Sequence, residues 1–217
     1  MIDDNAFHQP GEGAADVALI QRIGVVSGIL QIVCDTTGMG FSAVGRVTDT
    51  SWTACAVLDR MSFGLHPGGQ VDVETTFCRT VSTARVPLAI DDVAASSEYR
   101  DHPTPKMYGF RSYLAVPIVL SNGEVFGILC AFDPQAKRLG GTQILPTVEM
   151  FAQLIAAQIE VEQRLEASRT ALVDAEAVGR LREHFVAILG HDLRNPLAAV
   201  FSGLGLLERT PWTRKPR

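Results

Sequence analysis

Residues 142–193 read as helix almost without interruption, and that length limits what the chain can become. At 1.5 Å per residue a helix of ~50 residues rises about 75 Å, too far to fold back on one small domain. It needs a second helix to cover its apolar side, most simply its own copy in a parallel dimer. A seam at seven-residue spacing runs along it. Leu154, Val161, Ser168 and Ala175 form one set, and Phe151, Leu165 and Leu172 the other, with Gln158 a polar exception. After Ala175 the seam drifts to Val178, Leu181, Phe185 and Ile188, as an inserted or deleted step in a coiled coil would make it do.

Ahead of that helix lies chain enough for one domain of ordinary size. Of the 217 residues, 47% are hydrophobic and 20% charged, a composition that supports a packed core rather than disorder. Residues 1–14 are rich in Gly, Asp and Asn and read as a leader. From Asp16, an N-cap residue type, Val17, Ile20, Ile23, Leu30 and Val33 recur at helical spacing, which predicts one helix ending near Gly38 and Gly40. Strands follow at 41–47 and 52–58 around the turn Thr48-Asp49-Thr50-Ser51. Next come a loop at His66-Pro67-Gly68-Gly69, a short helix over 76–83 and an apolar run at 87–90. The polar stretch 93–108 reads as a helix turn and a loop. Residues 112–133 give the sharpest local prediction: a strand over 113–120, Asn122-Gly123 at the turn, and a return strand over 125–132. Asn-Gly points to a type I′ turn, whose two central residues both need positive φ.

The formal charge of -5 and a pI near 5.5 argue against a nucleic-acid-binding surface, which would need a clustered basic face. No uninterrupted apolar run reaches the ~18 residues of a membrane span. The N-terminus is acidic and polar where a secretory signal is basic and then apolar, so the expected location is cytoplasmic. Cys34, Cys55, Cys78 and Cys130 show no CxxC pairing and no nearby His at ligand spacing. They read as buried small hydrophobes, and no metal is expected.

Chemistry concentrates in residues 185–197, Phe-Val-Ala-Ile-Leu-Gly-His-Asp-Leu-Arg-Asn-Pro-Leu. On a helix, Phe185, Ile188, Leu189 and Leu193 make an apolar stripe and His191 lies off it. Asp192 is its neighbour, and Asn195 stands four residues on, on the same face. Phosphorylation of an imidazole needs an exposed neutral ring, a carboxylate to orient it or take its proton, and local flexibility. Asp192 supplies the second, and Pro196, which removes a helix hydrogen bond, predicts a kink for the third. An amide at Asn195 can hydrogen-bond a water or a phosphoryl oxygen.

This run, preceded by a coiled-coil helix, resembles the H-box of the dimerisation and histidine-phosphotransfer domain of two-component sensor kinases. The resemblance implies that His191 accepts the γ-phosphoryl group of ATP and Asp192 is its acid/base partner. It gives Asn195 a part in phosphoryl handling and makes Pro196 a hinge. The chain departs from that family after Leu207, where neither the second hairpin helix nor an ATP-binding domain follows. It is accordingly a fragment, a shortened gene product or a protein phosphorylated in trans, and the basic, Pro-broken ending favours a truncated or frame-shifted product. ATP is expected only through a missing or trans-acting catalytic domain.

Residues 16–160 resemble a GAF domain. The resemblance rests on the order helix, two strands, irregular middle, strand hairpin and exit helix, and on three local matches. These are Thr76-Phe77-Cys78, the run 87–92, and residues 112–118 followed by 127–133. It implies an α+β fold: an antiparallel sheet with helices on one face and a ligand cavity under the irregular segments on the other. It does not name the ligand. A covalent bilin would use Cys78, but Arg79 follows where bilin-binding GAF domains carry His. A haem would need His66 or His102, both in predicted loops.

The expected division is therefore 1–14 leader, 15–160 GAF sensory domain, 161–183 coiled-coil signalling helix, 184–209 first phosphotransfer helix and 210–217 tail. The expected protein is the sensory part of a sensor histidine kinase, homodimeric through the long helix, with a response regulator and an unknown small molecule as partners. The competing expectation is a non-enzymatic GAF ligand-binding regulator with a vestigial H-box.

Overall fold

The computed structural model describes residues 13–140 and 143–207, with side chains placed as far as residue 181 of the last helix. The chain divides into two compact units, residues 1–164 and 165–217. The first unit is built on one antiparallel sheet of six strands in the order β3-β2-β1-β6-β5-β4. These are β1 (Phe41–Val47), β2 (Ser51–Asp59), β3 (Gln70–Asp72), β4 (Leu88–Ile90), β5 (Ser112–Val119) and β6 (Val125–Asp133). β3 and β4, three residues each, form the two margins. The helices are α1 (Ala14–Arg22), α2 (Val25–Thr37), α3 (Cys78–Ala84), α4 (Pro103–Tyr108) and α5 (Ile144–Leu207).

Strand alternation divides the side chains between two cores. On one face Val44, Leu114, Val116, Ile118 and Leu129 meet Ile20 of α1, Ile29, Leu30 and Val33 of α2, and Val148, Ile155 and Ile159 of α5. The spacing Val148, Ala152, Ile155, Ala156, Ile159 is the three-and-four repeat of a helix laying one stripe on a sheet. On the other face Phe41, Ala43, Tyr113, Ala115, Ile128, Cys130 and Phe132 meet Phe77, Cys78 and Val81. Two bulges shift the register without mixing these sets. Val44 faces Ala56 and Gly45 faces Ala54, so Cys55 is the extra residue and turns to the helix face. Ile118 faces Gly127 and Val119 faces Val125, which does the same for Phe126.

The predicted single first helix is two helices, α1 and α2, bent by 84° at the break. Ile23 leaves the helical region (φ -82°, ψ 91°), and its side chain is buried with those of both helices. The apolar stripe continues across the break because both halves face one core, so the sequence pattern conceals the bend. The β5–β6 turn also differs from the type I′ prediction. Gly123 donates to the Leu120 carbonyl at 2.9 Å and Leu120 donates to that of Glu124 at 2.8 Å, with positive φ at Gly123 alone. That is a three-residue loop, a type I turn closed by a left-handed glycine. Glu160 of α5 accepts a hydrogen bond from the Ser121 backbone N–H, which ties this loop to the exit helix.

α5 is assigned as helix through Pro196 to Leu207. By length and composition, one helix among the described residues, Ile144–Leu181, could cross a membrane. In its first turns Val148, Ala152, Ile155, Ala156 and Ile159 pack on the sheet, whereas Met150, Leu154 and Val161 are exposed.

Candidate functional site

Beneath α3, α4 and the loop after β2, the second core is incompletely filled, leaving a cavity of about 60 Å³. Its wall is mostly aromatic. Phe41 and Phe132 stack at 4.3 Å between centroids, and Phe63 meets Phe132 edge-on at 4.9 Å. Phe110 stacks on Tyr113 at 5.2 Å, and Phe77 lies 5.3 Å from Tyr113. Such pairs add about 0.5–1.5 kcal/mol each beyond their area and hold the wall in one arrangement.

Trp52 completes the β2 side, and its indole lies over Gly45 so closely that a Cβ there would fall 2.0 Å from Cε2. The Trp52 Nε1–H is buried and finds no acceptor among the described residues.

The polar groups at the wall are few and specific. Tyr108 and Thr75 share a hydroxyl–hydroxyl hydrogen bond of 2.7 Å, and Thr104 Oγ1 donates to the Thr75 carbonyl at 2.7 Å. These bonds fasten α4 to the short 3-10 turn ahead of α3. Deeper in, Cys78 Sγ lies 3.3 Å from the Tyr113 hydroxyl, and Cys130 lines the same cavity. Hydrogen bonding from Cys130 holds the Cys78 pKa below the ordinary thiol value against the opposing effect of burial, with help from Tyr113 and Thr76. Cys130 shows the reverse: its bond to Cys78, then burial, push it well above that value. Burial likewise raises the Tyr113 phenol, and negative charge on either thiol raises it further.

The other two cysteines belong to the opposite side of the sheet. Cys34 Sγ donates to Ser42 Oγ at 3.2 Å, and burial raises its pKa. Burial pushes the Cys55 thiol up to about 12. All four are free and buried.

His191, Asp192 and Asn195 all fall on α5 within the second unit, and their side chains lie outside the described residues. His66 and His102 are not among the residues lining the cavity. His102 caps α4, its Nδ1 accepting from the Thr104 N–H at 3.3 Å, while its ring packs on Phe77 at 4.5 Å. Among the described residues no group of three or more His, Cys, Asp or Glu could hold a metal ion. The aromatic wall escaped sequence reasoning because its rings come from six separate segments. β1, β5 and β6 each place a single Phe or Tyr on that face, too few in any one strand to stand out.

Three solved structures share this architecture. The PixJ GAF domain of Thermosynechococcus elongatus, in its blue-light absorbing form, superposes with a TM-score of 0.57 at 15% identity, over 71% of this chain and 94% of that one. A methyl-accepting chemotaxis protein fragment, residues 122 to 287, gives 0.53 at 21% identity over 70% and 98%. A GAF domain region from Geobacter sulfurreducens PCA gives 0.53 at 15% identity over 68% and 97%. At these identities the likeness is one of fold. No curated protein matches the sequence. The sequence profile of the GAF domain family, by contrast, matches residues 21–189, from the end of α1 well into α5, and the chain belongs to that family.

Proposed function

We propose that this chain is the cytoplasmic sensory part of a two-component sensor histidine kinase, with His191 as phosphoacceptor, Asp192 as its acid/base partner and Asn195 handling the phosphoryl group. The observation that carries the reading is the ordered run His191-Asp192-Leu193-Arg194-Asn195-Pro196 on a helix whose first turns pack on the sheet of a GAF domain. A small molecule in the aromatic cavity is the input, and α5 is the output. Leu154, Val161, Leu165, Leu172, Val178 and Leu181 are all exposed along α5, which supports pairing with a second copy of the chain through that seam. The response regulator is the downstream partner, and ATP is used through a missing or trans-acting catalytic domain.

The test is to mix the protein with an intact sensor kinase and ATP labelled at the γ-phosphate. Acid-labile, base-stable label on this chain, lost in His191→Ala and kept in His66→Ala, is the expected result. No label on the wild-type chain would overturn the phosphoacceptor role and leave a ligand-binding regulator with a vestigial H-box.

A further inference from the structure

We infer that the aromatic cavity takes a small uncharged carbonyl compound, a short-chain ketone or aldehyde, whose oxygen accepts a hydrogen bond from Trp52 Nε1–H. The inference rests on the reading of this cavity as the sensory input and names the class of molecule that enters it.

Charge narrows the class first. Among the described residues, no Lys, Arg, His, Asp or Glu lines the cavity. A phosphate, carboxylate or ammonium group drawn into this wall would leave its hydration behind and meet no counter-charge, a cost that ring contacts do not offset. Size narrows it again. An apolar cavity of about 150 Å³ holds benzene. This one measures about 60 Å³, room for only a few non-hydrogen atoms.

Hydrogen bonding then selects the functional group. The hydroxyl groups at the wall already have partners. Thr76 Oγ1 donates to the Val73 carbonyl at 2.9 Å, and Thr104 Oγ1 to that of Thr75 at 2.7 Å. Tyr108 shares its bond with Thr75, and the Tyr113 hydroxyl lies 3.3 Å from Cys78 Sγ. Trp52 differs. It is only 4% exposed, it lines the cavity, and its Nε1–H has no acceptor among the described residues. A Cβ on Gly45 would point to the face that holds Phe41 and Ala43, and it would fall 2.2 Å from Nε1. The unpartnered N–H therefore stands on the cavity side of β1. An indole N–H can only donate, and leaving it buried and unpaired is costly. A carbonyl oxygen completes the pairing and adds no polar hydrogen, whereas an alcohol brings one that needs an acceptor in turn. Water fills the place less well, because a buried water needs about two to four polar partners and the wall is mostly rings.

Acetone, propan-2-ol, 2-methylpropene and acetate share one size and nearly one shape, and they separate these contributions. Each is titrated into the purified, ¹⁵N-labelled chain while the indole N–H resonances are followed. The sequence has two tryptophans, and Trp212→Phe identifies the resonance of Trp52. The expected result is a saturable downfield movement of the Trp52 indole proton with acetone, the Trp212 signal staying in place. The dissociation constant should be roughly millimolar, as befits so few atoms. Propan-2-ol binds more weakly, 2-methylpropene binds without the downfield movement, and acetate does not bind. Trp52→Phe keeps a ring and removes the donor. In it the affinity for acetone relative to 2-methylpropene, read from the Leu65 and Val71 methyl resonances, falls by roughly threefold to tenfold, the scale of one hydrogen bond. No saturable movement with acetone, equal binding of acetate, or an unchanged ratio in Trp52→Phe would overturn the inference. The wild-type titration decides the main point, so a variant that fails to fold does not protect it. Binding of 2-methylpropene without acetone would overturn the carbonyl class and leave the cavity as an input site, whereas binding of no probe would overturn both. No kinase or ATP is present, so this result and the labelling of His191 fail separately.

Discussion

Replacing Gly45 by Ala tests whether the floor of the cavity is set by backbone contact. An ideal Cβ at this position would stand 2.0 Å from Trp52 Cε2 and 2.2 Å from both Cζ2 and Nε1. Carbon atoms settle at about 3.5–4.0 Å, so the indole must retreat by roughly 1.5 Å. The strand cannot absorb that movement. A Cβ at Gly127 would lie 2.0 Å from the Gly45 carbonyl oxygen, so β1 and β6 are already at close approach there. The ring moves instead, into the cavity that it lines. Overpacking of this kind costs about 1–3 kcal/mol, and a clash with a rigid ring belongs at the upper end. For a chain of this size that lowers the melting temperature by about 2–4 °C per kcal/mol. Urea unfolding followed by far-ultraviolet circular dichroism measures the loss, and the same substitution in a Trp52→Ala background isolates its cause. With the indole gone, Gly45→Ala should be neutral or slightly stabilising, since glycine weakens a strand interior. An equal cost in both backgrounds would refute the argument, because the destabilisation would then have nothing to do with Trp52.

Two further outcomes follow from the packing and the charges. Ile155→Ala removes a fully buried side chain from the seat of α5 on the sheet and should cost about 2–5 kcal/mol in a denaturant titration, while Leu172→Ala should leave the sheet domain's stability within about 0.5 kcal/mol. Asp59 is opposed by burial, but backbone N–H groups of Gly64, Phe63, Met61 and Ser62 outweigh it and hold the carboxyl below its usual range. Because folding lowers this pKa, its contribution is full above the unfolded value of about 4 and disappears as pH falls through the folded one. Asp59→Asn should therefore destabilise at neutral pH and match the wild type in strong acid, as paired unfolding titrations at the two pH values would read.

The elements that could be read from sequence are those whose signals are local. β1 begins and ends at the predicted residues, and the hairpin arms fall within a residue or two, because alternation and the Asn-Gly pair lie in adjacent positions. The turn type itself did not follow, since Asn-Gly serves equally as the last two residues of a type I turn with a left-handed glycine. The bend between α1 and α2 was concealed for a related reason: periodicity reports which side of a helix is buried, not whether its axis continues. The run from His191 to Pro196 stood out because its six residues are consecutive in the sequence. The cavity left no such trace. Phe41, Phe77, Phe110 and Phe132 are each ordinary in their own segments, and only the packing of α3 and the segment after α4 on the sheet brings them, with Cys78 and Cys130, to one wall.

The two margins of the sheet carry a consequence for how copies of this chain can meet. With only three residues in β3 and three in β4, a neighbouring ribbon would find too few backbone donors and acceptors to zip onto. Main-chain addition is thus a poor route to self-association, even when many chains are crowded together. Any contact between copies would then have to come from side chains rather than from added strands.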